Sequence, residues 1–494
     1  MARINDDRLV LPFGGTLANE DLLPAKERNW KATDIFAMWM SAMHSLGNYT
    51  AAAALFIVGL NGWQVLLVWF IGFGLTMIFT NWMARIGQQL AVPFPVIARL
   101  SFGVLGANLP ALVRAVIGIA WYGIQTYLAS AALVILALAI DPSLAQYSHP
   151  GFLGLSTLGW IGFGVLWLAQ LIILTRGIEA IRKFQHLCGP GIWVMMFVLA
   201  GILVAQSGWK IDLTMSAVDL GPGETVTLIV ASIGSVLALN GAMMLNFADF
   251  SRFTPSYRDA KRGNFWGLPV NGGAFALIVV ITTAASLTLY GEPITDPASL
   301  LVEVQHPVVL AVGAFCFLIA TMGINIVGNV VPAAFDLANL APKHINFRKG
   351  AAISCSIAVL VMPWKLYSSP IAITYFLGSV GALVGPLLGI MLVDYYFIKK
   401  QIVDPEALYS DSSRGAYAFR RGWNPTALKA FIPGALVAII LAVVPALSAI
   451  SFLSWFLGTG LSAALYYGIS RRAAAPMPTQ GPTGTPARAA EPAE

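Results

Sequence analysis

The chain has 494 residues, of which 57% are hydrophobic and only 11% charged, and its mean hydropathy is +0.75. A soluble domain carries roughly 25% charged residues, so this composition excludes a soluble fold and places the chain in a lipid bilayer. The formal net charge of +6 does not call for a nucleic-acid partner, because the loop topology accounts for it.

Residues 1–32 are polar and charged, and read as a cytoplasmic segment without a cleavable signal. Apolar stretches long enough to span, at about 20 residues each, follow near residues 33–59, 62–84, 105–139, 153–174, 188–205 and 225–250. A second set lies near 264–290, 307–334, 348–364, 370–397, 428–447 and 450–470. These stretches predict an all-α integral membrane protein of about twelve transmembrane helices. Alternate loops collect the basic residues, among them Arg85, Arg99, Arg182, Lys183, Arg252, Arg258, Lys343, Lys399, Arg420 and Arg471, while the others hold little beyond Lys210 and Lys365. By the positive-inside rule both termini are cytoplasmic, and the chain is a multi-pass protein of the inner or plasma membrane. Cys188, Cys316 and Cys355 stand apart without metal-ligand spacing and read as core-filling thiols. Residues 473–494, rich in Ala, Pro, Gly and Thr, read as a disordered cytoplasmic tail.

The first span interrupts its apolar run with Ser41-Ala42-Met43-His44-Ser45-Leu46-Gly47-Asn48, and near the end of the sixth the chain reads Gly234-Ser235-Val236-Leu237-Ala238-Leu239-Asn240-Gly241. Polar and helix-weakening residues at bilayer depth, in corresponding places of two halves, point to discontinuous helices around a binding site. Five spans cross the membrane an odd number of times, so a second set of five is inverted relative to the first. The expected architecture is a 5+5 inverted-repeat transporter core, residues 33–205 and 225–397, with a peripheral pair of helices over 428–470.

In the third span, Trp121 and Gln125 stand at i and i+4, one above the other on one helix face. An indole and a carboxamide together suit a flat heterocyclic amide, although a belt tryptophan and a helix-packing glutamine satisfy the same spacing. Asn325 and Asn329 share a face of the eighth span, next to Gly328. Carboxamides at this depth either glue helices or line a polar cavity, and one of each is expected. His44 lies within the first break, where an ionisable group is either a proton relay or a packing residue. Asp249 and Arg252, with Asp336 and Asp394, lie near the ends of spans and read as boundary or gate residues. No HExxH, GxxxxGK[ST] or GxSxG motif is present, so neither an enzyme nor an ATP-driven pump is expected, and no cofactor is implied. A membrane-embedded enzyme or a channel is the competing class; a channel needs a continuous polar pore rather than a few midplane residues.

Many ordered segments resemble the nucleobase:cation symporter-1 family, which includes permeases for hydantoin, allantoin, uracil, cytosine and purines. They are Asn19-Glu20-Asp21-Leu22, Trp39, Pro93 to Ile97, Trp121 to Thr126, Asp249 to Phe253, Asn325 to Asn329, Met362 to Leu366, Gly385-Pro386 and Asp394-Tyr395-Tyr396. The allantoin branch is the most similar. The resemblance implies that Trp121 stacks on a substrate ring, that Gln125 and Asn329 hydrogen-bond it, and that Leu239 backbone and the Ser45 side chain complete the pocket, with Asn325 nearby. Where the family often has a second stacking tryptophan, this chain has Asn240, which implies a smaller or more polar substrate. The family's sodium site falls on Ser41, His44, Ala320, Gly323 and Ile324. Gly323 and Ile324 offer no side-chain oxygen to a hard cation that wants several, so proton coupling through His44 is expected over sodium. The implied function is import of a nucleobase or a related cyclic amide or ureide, of the allantoin, uracil or hydantoin class, driven by a proton or sodium gradient.

Overall fold

The computed structural model describes residues 16–44, 46–295, 299–301, 307–369, 375 and 378–473. Ser45 and residues 474–494 of the tail therefore lie outside the described residues. Helices account for every spanning element described, and only two isolated bridges interrupt the pattern.

The first span is two helices, α1 (Ala32–Met43) and α2 (Leu46–Ile57), parted at His44. Asn61 and Gln64 then open α3 (Gly62–Leu90) with a reciprocal cap, each side-chain oxygen accepting the other's backbone N–H at 3.0 and 2.9 Å. A short α4 (Phe94–Phe102) leads to α5 (Asn108–Ile140), α6 (Thr157–Thr175) and α7 (Ile178–Gln206). The sixth span is broken as well: α8 (Pro222–Leu239) stops at Asn240, and α9 (Gly241–Asn246) and α10 (Ala248–Ser251) carry the chain onward. The seventh runs from α11 (Tyr257–Phe265) through a π turn into α12 (Asn271–Tyr290). The eighth runs from α13 (Pro307–Ile324) through a π turn, Asn325–Val330, into α14 (Val331–Leu340). Then come α15 (Phe347–Leu360), α16 (Pro363–Tyr367), α17 (Gly378–Ala382), α18 (Val384–Val393), α19 (Pro425–Val443) and α20 (Ser454–Ala473). Among the described residues, nine helical stretches are long and apolar enough to cross a membrane unaided. The split first span, α15 with α16, and α17 with α18 complete the expected pattern.

One boundary differs from expectation. Arg182 and Lys183 belong to the first turns of α7 rather than to a loop, because the helix begins ten residues early, at Ile178 instead of 188. The pair formed by α19 and α20 packs on α18, where Trp455 of α20 is buried beside Val384.

One end of the bundle gathers the basic loops. Asn19 Nδ2 donates to the carbonyls of Pro342 and Ile345, Asp21 accepts from the Phe347 N–H at 2.7 Å, and Arg28 donates to the carbonyls of Thr254 and Gln88. Arg99 on α4 reaches the Leu408 and Leu17 carbonyls and the Asn339 side chain. Burial pushes its guanidinium down to about 10, which leaves it charged at neutral pH. Within the bilayer, where lipid is as apolar as leucine, close packing and interhelical hydrogen bonds hold the helices together. Trp39 illustrates both, stacking on Phe247 at 5.6 Å while its indole N–H donates to Asn264 at 2.7 Å.

Candidate functional site

A cavity of about 500 Å³ opens where the two breaks meet. Its wall combines Gly47 and Asn48 of α2, Trp121 and Gln125 of α5, Leu239 and Asn240 at the end of α8, and Ile324 and Asn329 of the eighth span. Discontinuity explains the convergence: α8 runs out at Asn240, and the Asn240 side chain itself caps the helix, its Nδ2 donating to the Val236 carbonyl at 2.8 Å. Gln125 Oε1 is buried without a partner, an acceptor that a ligand N–H could satisfy.

The two asparagines of the eighth span divide their work. Asn325 is fully buried, and its Nδ2 faces the Tyr122 carbonyl (3.2 Å), Thr126 Oγ1 (2.9 Å) and Gln170 Oε1 (2.9 Å). It therefore clamps the third, fourth and eighth spans, and it does not reach the cavity wall. Asn329 donates to Asn325 Oδ1 at 2.8 Å and lines the cavity. Both belong to the π turn, whose wider winding frees backbone carbonyls. One of these, on Gly328, accepts from Asn246 Nδ2 at 2.8 Å and ties the sixth span to the eighth.

The expected cation residues stand behind this cavity. Ser41 Oγ lies against Gly323 so closely that a Cβ there would overlap it. It has no hydrogen-bond partner, nor has Gln185 Oε1, while Gln185 Nε2 donates to the Gly323 carbonyl at 3.3 Å. Ala320 is buried and Ile324 lines the cavity. His44 is buried, and its ring meets Trp193 edge-on at 4.8 Å and Phe275 at 5.0 Å.

The largest departure from the sequence reading concerns Asp249 and Asp336. Both lie near the ends of their spans, as expected, but Asp249 forms its ion pair with Arg114 rather than with Arg252. Arg114 Nε and Nη2 grip Asp336 at 2.7 Å each, and Nη1 meets Asp249 at 2.8 Å, with all three side chains at most 2% exposed. The guanidinium lies 3.9 Å from the centre of the Phe94 ring, and Asp249 also accepts the Phe94 N–H at 2.8 Å. A lone arginine inside a predicted span was the available signal, because such a charge is by default paired and functional. Asp394 is likewise enclosed, accepting from Ser101, Tyr466 and Lys399.

Two interrupted helices that meet at a cavity in an all-helical bundle are the architecture of a carrier-type membrane protein. The chain matches the family described as permeases for cytosine and purines, uracil, thiamine and allantoin over residues 22–458, and it belongs to that family. It is 34% identical to an allantoin permease of Bacillus subtilis across 92% of this chain and 93% of that one. A purine-uracil permease of Arabidopsis thaliana is 32% identical, across 90% and 74% of the two chains. A solved nucleobase-cation-symport-1 transporter, closed with bromovinylhydantoin bound, superposes with a TM-score of 0.76 over 93% of this chain and 96% of that one, at 20% identity. The protein is thus a nucleobase-type membrane transporter and not an enzyme, and its fold is the 5+5 inverted-repeat core with two further helices.

Proposed function

We propose that the chain imports a cyclic amide or ureide of the allantoin, uracil or hydantoin class by alternating access, driven by protons in preference to sodium. The observation that carries this reading is the cavity between the breaks, where the Trp121 indole, the unpartnered Gln125 Oε1 and the Asn329 carboxamide form one wall. A flat ring stacks on indole, and its amide N–H and C=O groups complement the two carboxamides. Both termini on the cytoplasmic side follow from the basic loops gathered at one end.

Proton coupling is supported by what faces Ser41. Gly323 and Ile324 contribute no side-chain oxygen, which leaves two fewer ligands for a hard cation that wants several oxygens. His44, three residues beyond Ser41, is an ionisable side chain in the first break, packed against the Trp193 and Phe275 rings.

Solute counterflow of labelled allantoin in proteoliposomes tests the transport reading, with uracil, hydantoin and a purine as competitors; trans-stimulated exchange is expected, and its absence for the whole panel overturns it. Imposing sodium and pH gradients separately tests the coupling. A pH gradient is expected to drive accumulation, and His44→Gln to reduce that accumulation at least tenfold while leaving counterflow intact. Strong sodium stimulation at fixed pH would sink the proton assignment.

A further inference from the structure

The cavity is larger than the ring site it contains. At about 500 Å³ it exceeds what a single five- or six-membered ring fills, and it extends past Asn240 to Ser451, Phe452, Ser454 and Trp455 of the last span. Trp455 is 2% exposed, with its ring edge against Phe79 at 5.4 Å. Its indole Nε1 has no hydrogen-bond partner, and it sits beside the sixth-span break, 3.0 Å from where a Cβ on Gly241 would lie. A buried donor left unpaired is costly, and in a residue that lines a cavity a ligand acceptor can supply the missing partner. Ser451 Oγ donates to the Ser448 carbonyl at 2.9 Å, so toward the cavity it can only accept.

Polar groups therefore stand at both ends of the cavity. The ring end holds Gln125 and Asn329; the far end holds one orphaned N–H donor and a hydroxyl acceptor. A bare ring satisfies the first set only. A ring that carries an arm with a carbonyl and an N–H satisfies both.

We propose that Trp455 is a specificity-determining residue, whose indole N–H takes the arm carbonyl of a ring-plus-arm ureide, so that the last span forms a second subsite of the substrate cavity. This rests on the cavity being the substrate site, as proposed above. It also explains how a chain with Asn240 in place of a second stacking ring can hold its ligand: the arm is bound at Trp455 and the ring on Trp121.

Allantoin and hydantoin test the idea directly, because they share one ring and differ by a ureido arm. Affinities are read in proteoliposomes containing the full chain, by competition against labelled allantoin for the unmodified protein and Trp455→Phe, with thermal stability checked for both. Trp455→Phe keeps the ring packing and removes only the N–H. Allantoin affinity is expected to fall about tenfold while hydantoin changes less than twofold. Equal losses for both ligands assign Trp455 to packing and overturn the inference, as does no loss for either. On the unmodified protein, a 5-alkylhydantoin of matched arm length without a carbonyl is expected to bind about tenfold more weakly than allantoin; equal binding overturns the inference without any variant having to fold. If the unmodified protein binds neither allantoin nor hydantoin, the substrate reading itself has failed, and the inference falls with it.

Discussion

Replacing Arg114 with glutamine is expected to destabilise the protein by about 3–5 kcal/mol, because it strands two fully buried carboxylates without their counter-charge. Arg114 makes the direct ion pairs to Asp249 and Asp336, and both carboxylates are fully buried. The neighbouring Arg252 forms no ion pair with either carboxylate; its Nη1 donates to the Asp21 carbonyl and its guanidinium lies over the Phe253 and Phe335 rings. Removing one partner of such a cluster costs far more than removing the whole. The triple variant Arg114→Gln, Asp249→Asn, Asp336→Asn is therefore expected to recover most of the lost stability. Melting temperature in detergent, with yield of monodisperse protein, measures both. A single variant as stable as the parent would show that the cluster is hydrated or that one carboxylate is protonated.

Trp121→Ala is expected to weaken substrate binding by about 1–3 kcal/mol, the usual worth of stacking one base on an aromatic side chain, or roughly 5- to 150-fold. Trp121 is only partly buried and faces the cavity, so truncation opens space without a large packing penalty. Asn329→Ala is expected to act differently. It removes a cavity carboxamide and also the donor to Asn325 Oδ1, so loss of affinity should come with a modest loss of stability. Asn325→Ala, by contrast, should mainly destabilise, because its amide joins three spans through Tyr122, Thr126 and Gln170. Binding affinity and melting temperature measured on the three variants separate these roles. Unchanged affinity in both Trp121→Ala and Asn329→Ala would remove the pocket from consideration.

Hydropathy and charge were enough to predict the spans, because a bilayer acts on local stretches of about 20 residues. The breaks at Ser41–Asn48 and Gly234–Gly241 were legible for a similar reason: glycine and polar residues at bilayer depth weaken a helix wherever they occur. The i and i+4 pairs, Trp121 with Gln125 and Asn325 with Asn329, could be placed on common faces from helical geometry alone. What spacing could not tell was which carboxamide clamps helices and which one meets the cavity. Both asparagines share one face, and the partners that distinguish them come from other spans.

The sequence by itself determined an all-helical membrane protein with two interrupted spans, its basic loops on one side and no catalytic motif. Only the tertiary structure decided that Asp249 and Asp336 share Arg114, a residue 222 positions from Asp336, and that the final span contributes Trp455 to the cavity. The physical reason is the range of the interactions. Transfer from water to lipid is a sum over neighbouring residues, readable along the chain. A buried charge or an orphaned N–H is satisfied, or left unsatisfied, by whichever distant helix packs against it.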